Sequence, residues 1–204
     1  IATLTTVNLG GAPVSVGLGG NHSCAVLASS AVKCWGYNGD GAMTDAVIAV
    51  GENLSNVPLA TQITVGAVQV VAGSQHTCAR MSDGSVKCWG SNTFGQLGFP
   101  NGSVATGIPT LVIGLPAPAD EIYASGWHTC ARLSDGTFYC WGSGYFGNTS
   151  NLQDSPAPTR VPGIGTVTGG ALGIRHTCII VGADKTLYCL GWNNYGQTNG
   201  SSSN

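Results

Sequence analysis

Charge is what this 204-residue chain has least of: Lys, Arg, Asp and Glu together make up 8% of it, and the net charge is −2. Seven Lys and Arg give no basic stripe to neutralise phosphates, which excludes nucleic acid and anionic membrane surfaces as partners. Long apolar runs are also missing. Hydrophobic residues make up 43% of the chain, yet no unbroken apolar stretch reaches the roughly 18 residues of a membrane-spanning helix, so membrane insertion is not expected. Sustained 3.6-residue periodicity is absent, which leaves little room for helices. The chain opens on Ile1 with neither a Met nor a signal-like segment, so a processed product or a portion of a longer protein is expected.

None of the eight cysteines is left over. They fall into four evenly spaced pairs, Cys24/Cys34, Cys78/Cys88, Cys130/Cys140 and Cys178/Cys189. Asp83-Gly84 sits midway between Cys78 and Cys88, so folding the chain there pairs 80 with 86 and brings the two sulfurs together across antiparallel strands. Asp135-Gly136 does the same for Cys130 and Cys140, and Ser29 is the midpoint of the first pair. The last unit is one residue longer, with 182–185 as its turn. Four cross-strand disulfides point to an oxidising compartment, and hence to an extracellular or cell-surface location. Each closes a loop of about eleven residues and contributes roughly 2 to 3 kcal/mol by the chain-entropy argument.

The histidines at 22, 76, 128 and 176 precede these pairs at intervals of 54, 52 and 48 residues. That period suits about four short strands and their turns, the content of one propeller blade. The segments 68–71, 86–87 and 137–139 are rich in β-branched and aromatic residues, as strands require. The 32 Gly mark frequent turns, and the nine Pro cluster between hairpins, as at 115–118 and 155–158. The fold class expected is all-β, with β-propeller blades built from four repeats of about 50 residues in one domain, 1–204. Unit boundaries are placed near 1–50, 51–105, 106–155 and 156–204.

The second unit, Gly73-Ser74-Gln75-His76-Thr77-Cys78-Ala79 followed by Cys88-Trp89-Gly90-Ser91-Asn92-Thr93-Phe94-Gly95-Gln96-Leu97-Gly98, resembles the repeat of the regulator of chromosome condensation family. The likeness extends to Gly126-Trp127-His128-Thr129 with Cys140-Trp141-Gly142 in the third unit, and to His176-Thr177 with Asn193-Asn194-Tyr195-Gly196-Gln197 in the fourth. The first unit keeps Gly19-Gly20-Asn21-His22-Ser23 and Cys34-Trp35-Gly36. The resemblance implies propeller blades. Family members generally close seven blades, whereas four are written here, so either a compact four-bladed ring or an arc completed by another chain is expected. Leu4-Thr5-Thr6-Val7 aligns with the strand near 110–112 and 159–161. Residues 1–10 therefore fit as the strand completing the blade that ends near Gln197, in the same molecule or the next.

Chemistry is sparse. His76, Cys78 and Cys88 make a possible zinc set, but a fourth ligand is missing. The disulfide reading, beside a histidine bonded to backbone, is preferred, and neither a metal nor any cofactor is expected. Ser23, Thr77, Thr129 and Thr177 adjoin histidines, but neighbours on a strand point to opposite faces, which is wrong for a nucleophile and its base. No catalytic residue is assigned and no enzyme is expected. Trp35, Trp89 and Trp141 follow a cysteine and are expected to pack between blades. Trp127, Tyr145, Phe146, Trp192 and Tyr195 are the interface candidates. Asn53, Asn101, Asn148 and Asn199 each open an acceptor triplet for N-glycosylation in the loop after a hairpin; common turn residues explain the same pattern. The function expected is a disulfide-reinforced structural or protein-binding module that self-associates, as in a glycosylated surface filament. A soluble propeller that inhibits a target protein is the alternative. A guanine-nucleotide-exchange regulator, which the family name suggests, ranks last.

Overall fold

A computed structural model describes residues 3–43, 54–99, 104–144 and 153–199. Fifteen strands among these residues form four antiparallel sheets in chain order. The first sheet holds β1 (Pro13–Leu18), β2 (His22–Leu27), β3 (Val32–Tyr37) and β4 (Leu54–Ala60). The second holds β5 (Ala67–Ala72), β6 (His76–Met81), β7 (Val86–Gly90) and β8 (Thr106–Leu111). The third holds β9 (Ala119–Ser125), β10 (His128–Leu133), β11 (Phe138–Gly142) and β12 (Ser155–Arg160). The fourth has three described strands, β13 (Val167–Leu172), β14 (His176–Val181) and β15 (Thr186–Gly191).

Each central hairpin has the register its sequence symmetry requires. Cys24 faces Cys34, Cys78 faces Cys88, Cys130 faces Cys140 and Cys178 faces Cys189. All four pairs are bonded, with Cα atoms 4.0 to 4.1 Å apart. The turn at Asp83-Gly84 puts Gly84 at φ +80°, and the Asp83 carboxylate accepts from the Ser85 amide at 2.9 Å and the Ser85 hydroxyl at 2.7 Å. Asp135 repeats this with Thr137. These bonds, hydroxyl first, hold both carboxyls below their usual range. In the first hairpin Ser30 occupies the left-handed position, at φ 64°.

The unit boundaries differ from those read in the sequence. The fourth strand of each complete sheet lies beyond positions 50, 105 and 155: β4, β8 and β12 end at Ala60, Leu111 and Arg160. β4, β8 and β12 carry Pro58, Pro109, Pro156 and Pro158, and of these stretches only 155–158 reads in the sequence as a connection between hairpins. They are outer edge strands, where a residue without an N–H forfeits no ladder bond.

Three buried clusters fill the spaces between successive sheets. Val26, Val32 and Met43 pack on Val70 and Trp89; Val86 and Leu97 pack on Ile122 and Trp141; Phe138 and Val161 pack on Val167 and Ile179. The array is an arc rather than a compact four-bladed ring. β5 packs on β1 and β2, β9 on β5 and β6, and β13 on β9 and β10, while the outward faces of the first and fourth sheets stand open.

Candidate functional site: the joints and the open ends

The histidines act between sheets. His22 Nε2 lies 2.8 Å from Thr77 Oγ1, His76 Nε2 2.9 Å from Thr129 Oγ1, and His128 Nε2 3.0 Å from Thr177 Oγ1. Thr77 donates its hydroxyl proton to the Ala42 carbonyl at 2.6 Å, and Thr129 donates to the Gln96 carbonyl at 3.0 Å. Each threonine oxygen is therefore left to accept from a histidine Nε2–H. The hydroxyl proton is committed away from the imidazole, so the pair ties one sheet to the next and does not form a nucleophile with its base. The expected histidine-to-backbone bond is replaced by this inter-sheet bond.

Burial fixes the charge state of these rings. It lowers His22 to about 4 and His76 and His128 to about 3, the neighbouring imidazoles adding to the effect at the last two. Nδ1 of His76 and of His128 is buried with no partner among the described residues, so protonation there would bury an unanswered N–H. A close approach makes the ring position possible: a Cβ on Gly73 would run into the His76 imidazole, and one on Gly173 into that of His176.

Two of the three tryptophans complete the joints, while Trp35 is half-buried on the first sheet, which has no sheet before it. Trp89 and Trp141 are fully buried, and their indole N–H groups donate to the Met43 carbonyl at 3.2 Å and the Gln96 carbonyl at 2.9 Å in the preceding unit's loop. The loop that bears Gln96 is braced by its own side chains. Asn92 Oδ1 accepts from the Leu97 amide at 3.0 Å and Gln96 Oε1 from the Phe94 amide at 2.9 Å; Asn193 and Gln197 repeat both bonds at 2.8 and 2.9 Å.

The two ends of the arc expose what the interior joints bury. Leu187 is 63% exposed, whereas Val32, Val86 and Phe138, at the same place in the other sheets, are at most 1% exposed. At the other end Val16 is 60% exposed, against 1% for Val70 and 0% for Ile122. Past the other end of β15, the Trp192 and Tyr195 rings meet edge to face at 5.1 Å and the Arg175 guanidinium stacks 5.0 Å from the Trp192 ring, around a shallow depression that also includes Ile174 and His176.

Of the interface candidates, Trp192 and Tyr195 share this surface. Trp127 instead is half-buried at a joint, 5.9 Å from Phe94. Tyr145 and Phe146 lie outside the described residues, as do Asn53, Asn101 and Asn148; Asn199 is exposed in a turn at φ 57°. The histidine–threonine bonds went unread because they join residues 49 to 55 positions apart, and the regular recurrence of His-Ser or His-Thr at each repeat was their signal.

Antiparallel sheets of three or four described strands, stacked face to face in chain order and each with its own hairpin disulfide, define a class of protein: repeat arrays of propeller blades. The Regulator of chromosome condensation (RCC1) repeat matches residues 14–42, 67–96 and 120–148, with a further match over 83–132. The chain belongs to the RCC1 repeat family. It is 31% identical over 194 residues to the ultraviolet-B receptor UVR8 of Arabidopsis thaliana, covering 90% of this chain and 42% of UVR8. Its fold matches that of Prp20p from Saccharomyces cerevisiae with a TM-score of 0.81 at 17% identity, over 100% of this chain and 50% of Prp20p. It also matches the ectodomain of the Physcomitrella patens receptor kinase CR4, with a TM-score of 0.57 at 24% identity, over 87% of this chain and 40% of that one. The chain thus spans half or less of each of these proteins.

Proposed function

We propose that this chain is an extracellular, disulfide-reinforced propeller module that works by binding protein through the open ends of its arc, as a building unit of a larger assembly. The observation that carries this reading is Leu187, exposed where three equivalent side chains are buried by a neighbouring sheet. An exposed apolar side chain of that kind, on the same sheet as the Trp192, Tyr195 and Arg175 cluster, has the composition of a protein interface. Four hairpin disulfides suit an oxidising compartment, and the likeness to a receptor ectodomain supports an extracellular setting. Glycans on the loop asparagines, of which Asn199 is exposed, would suit a surface filament.

Capture of a foreign protein is the second reading, favoured by the same Trp192–Tyr195 cluster acting as a hot spot. Light scattering over a wide concentration range, followed by electron microscopy, tests the proposal. Polymers that grow with concentration support assembly; a monomer at every concentration removes it and leaves capture. Peptide mapping of the four loops tests the glycans, and unmodified Asn at all of them removes the sugar coat.

A further inference from the structure

We infer that the occupant of the open fourth-sheet face is the first sheet of a second copy, which also brings its own residues 3–9 to β15 as a fourth strand. The inference rests on the assembly reading above and assigns its interface. The His–Thr bond recurs at every interior joint, the joint between the second and third sheets supplies the full template, and the two ends of this chain carry its two halves.

The polar half of the template is a histidine and a carbonyl on one sheet facing a hydroxyl and an indole on the next. At the third sheet, the Gln96 carbonyl takes the Thr129 hydroxyl at 3.0 Å and the Trp141 indole at 2.9 Å, and Thr129 takes the proton of His76. On the fourth sheet His176 and Gln197 stand at the positions of His76 and Gln96, eight residues past the second cysteine in the glutamine's case. The loop bearing Gln197 is already braced as the Gln96 loop is. On the first sheet Ser23 and Trp35 stand at the positions of Thr129 and Trp141, and both are only half-buried. His176 to Ser23, with Ser23 and Trp35 to the Gln197 carbonyl, restores the joint. The apolar half matches too: Val16 and Leu187 are the exposed counterparts of residues that share a buried cluster at the first two joints, Val70 with Val32 and Ile122 with Val86, and Gly170 takes that place at the third.

The strand follows from connectivity. In the interior, the segment just before each sheet's first strand serves as the outer strand of the sheet before it: β4 precedes β5 and pairs with β3. Residues 3–9 precede β1 in the same way, are in no strand, and leave Leu4 fully exposed. Among the described residues β15 is an edge that such a strand would pair. The register is fixed by three precedents. Cys34 faces Leu59, Cys88 faces Thr110 and Cys140 faces Thr159, and the amides of Thr61, Val112 and Val161 donate to the carbonyls of Val32, Val86 and Phe138. Applied to β15, Thr5 faces Cys189, Thr6 faces Tyr188, and the Val7 amide donates to the Leu187 carbonyl. Leu4 then falls where Pro58, Pro109 and Pro158 stand. One bond is forfeited: Ala67, Ala119 and Val167 donate to the preceding turn, and Pro13 in their place has no N–H. The joint between copies is therefore weaker than the joints within one.

Val16→Asp and Leu187→Asp each block one end at an exposed site and leave the other intact. Sedimentation velocity of each variant alone is expected to give monomers. Their mixture is expected to give a complex of twice the monomer mass that grows no further, since the only unblocked ends are complementary. Homodimers of either variant, or no complex on mixing, overturn the inference. If the unaltered chain polymerises and both variants still do, the interface is wrong while the assembly reading stands; monomers of the unaltered chain at every concentration overturn both. A proline pair tests the register. Leu4→Pro is expected to leave the association constant within about twofold, and Val7→Pro to weaken it tenfold or more; equal effects overturn the strand assignment.

Discussion

The hydroxyl that follows each histidine in the sequence serves the histidine of the sheet before it. That division of labour makes Thr129 costly to lose: it accepts from His76 and donates to Gln96 with no solvent nearby. Thr129→Val is expected to cost about 1 to 3 kcal/mol by urea denaturation, because two buried polar groups lose a partner. Ser23→Val, on the open end, is expected to cost well under half of that in the isolated chain. The buried imidazoles set the acid limit of the fold. Their native pKa values lie below the unfolded value of about 6.5, so the unfolded chain binds more protons and stability falls as pH drops from about 6.5. Each pH unit costs about 1.4 kcal/mol per histidine until the native value near 4 for His22, or 3 for His76 and His128, is reached. Urea midpoints that stay level between pH 7 and pH 5 would show the rings to be solvated. The sequence revealed the histidine at each repeat but not its use, since an inter-sheet bond leaves no trace in local spacing.

Hairpins and outer strands differ in how openly they are written. A hairpin closes on itself, so the symmetry of Cys78 and Cys88 about Asp83-Gly84 was enough to give the pairing, the register and the disulfide. β12, reading Ser-Pro-Ala-Pro-Thr-Arg, looks like a linker, and only its place at the sheet edge makes it a strand. Two predictions belong to this scale. Ser30→Gly is expected to gain up to about 1 kcal/mol, because the serine holds φ 64° in a turn where the second and third sheets use glycine. Thermal denaturation checks it. The fourth hairpin is the exposed one: Cys178 and Cys189 are half-buried, whereas the other six cysteines are fully buried. Under limiting reductant, alkylation and peptide mapping should find Cys178–Cys189 opened first and the other three bridges retained.

At the scale of the whole molecule the number of units is legible in the four cysteine pairs, but closure is not. Closure depends on the angle between sheets, which no single repeat records, and the exposure of Val16 and Leu187 at opposite ends is what identifies an arc. The hairpin bridges have a mechanical consequence. If the array is pulled from its two ends, the outer strands β4, β8 and β12 can peel away, since no covalent link besides the backbone holds them. The central hairpins cannot pay out. Each bridge short-circuits 10 or 11 residue steps, roughly 35 Å of contour that tension never reaches while the sulfurs stay joined. A thread of such units would yield in short, repeated increments and re-form from intact hairpins when slack, a behaviour suited to material that must survive drag.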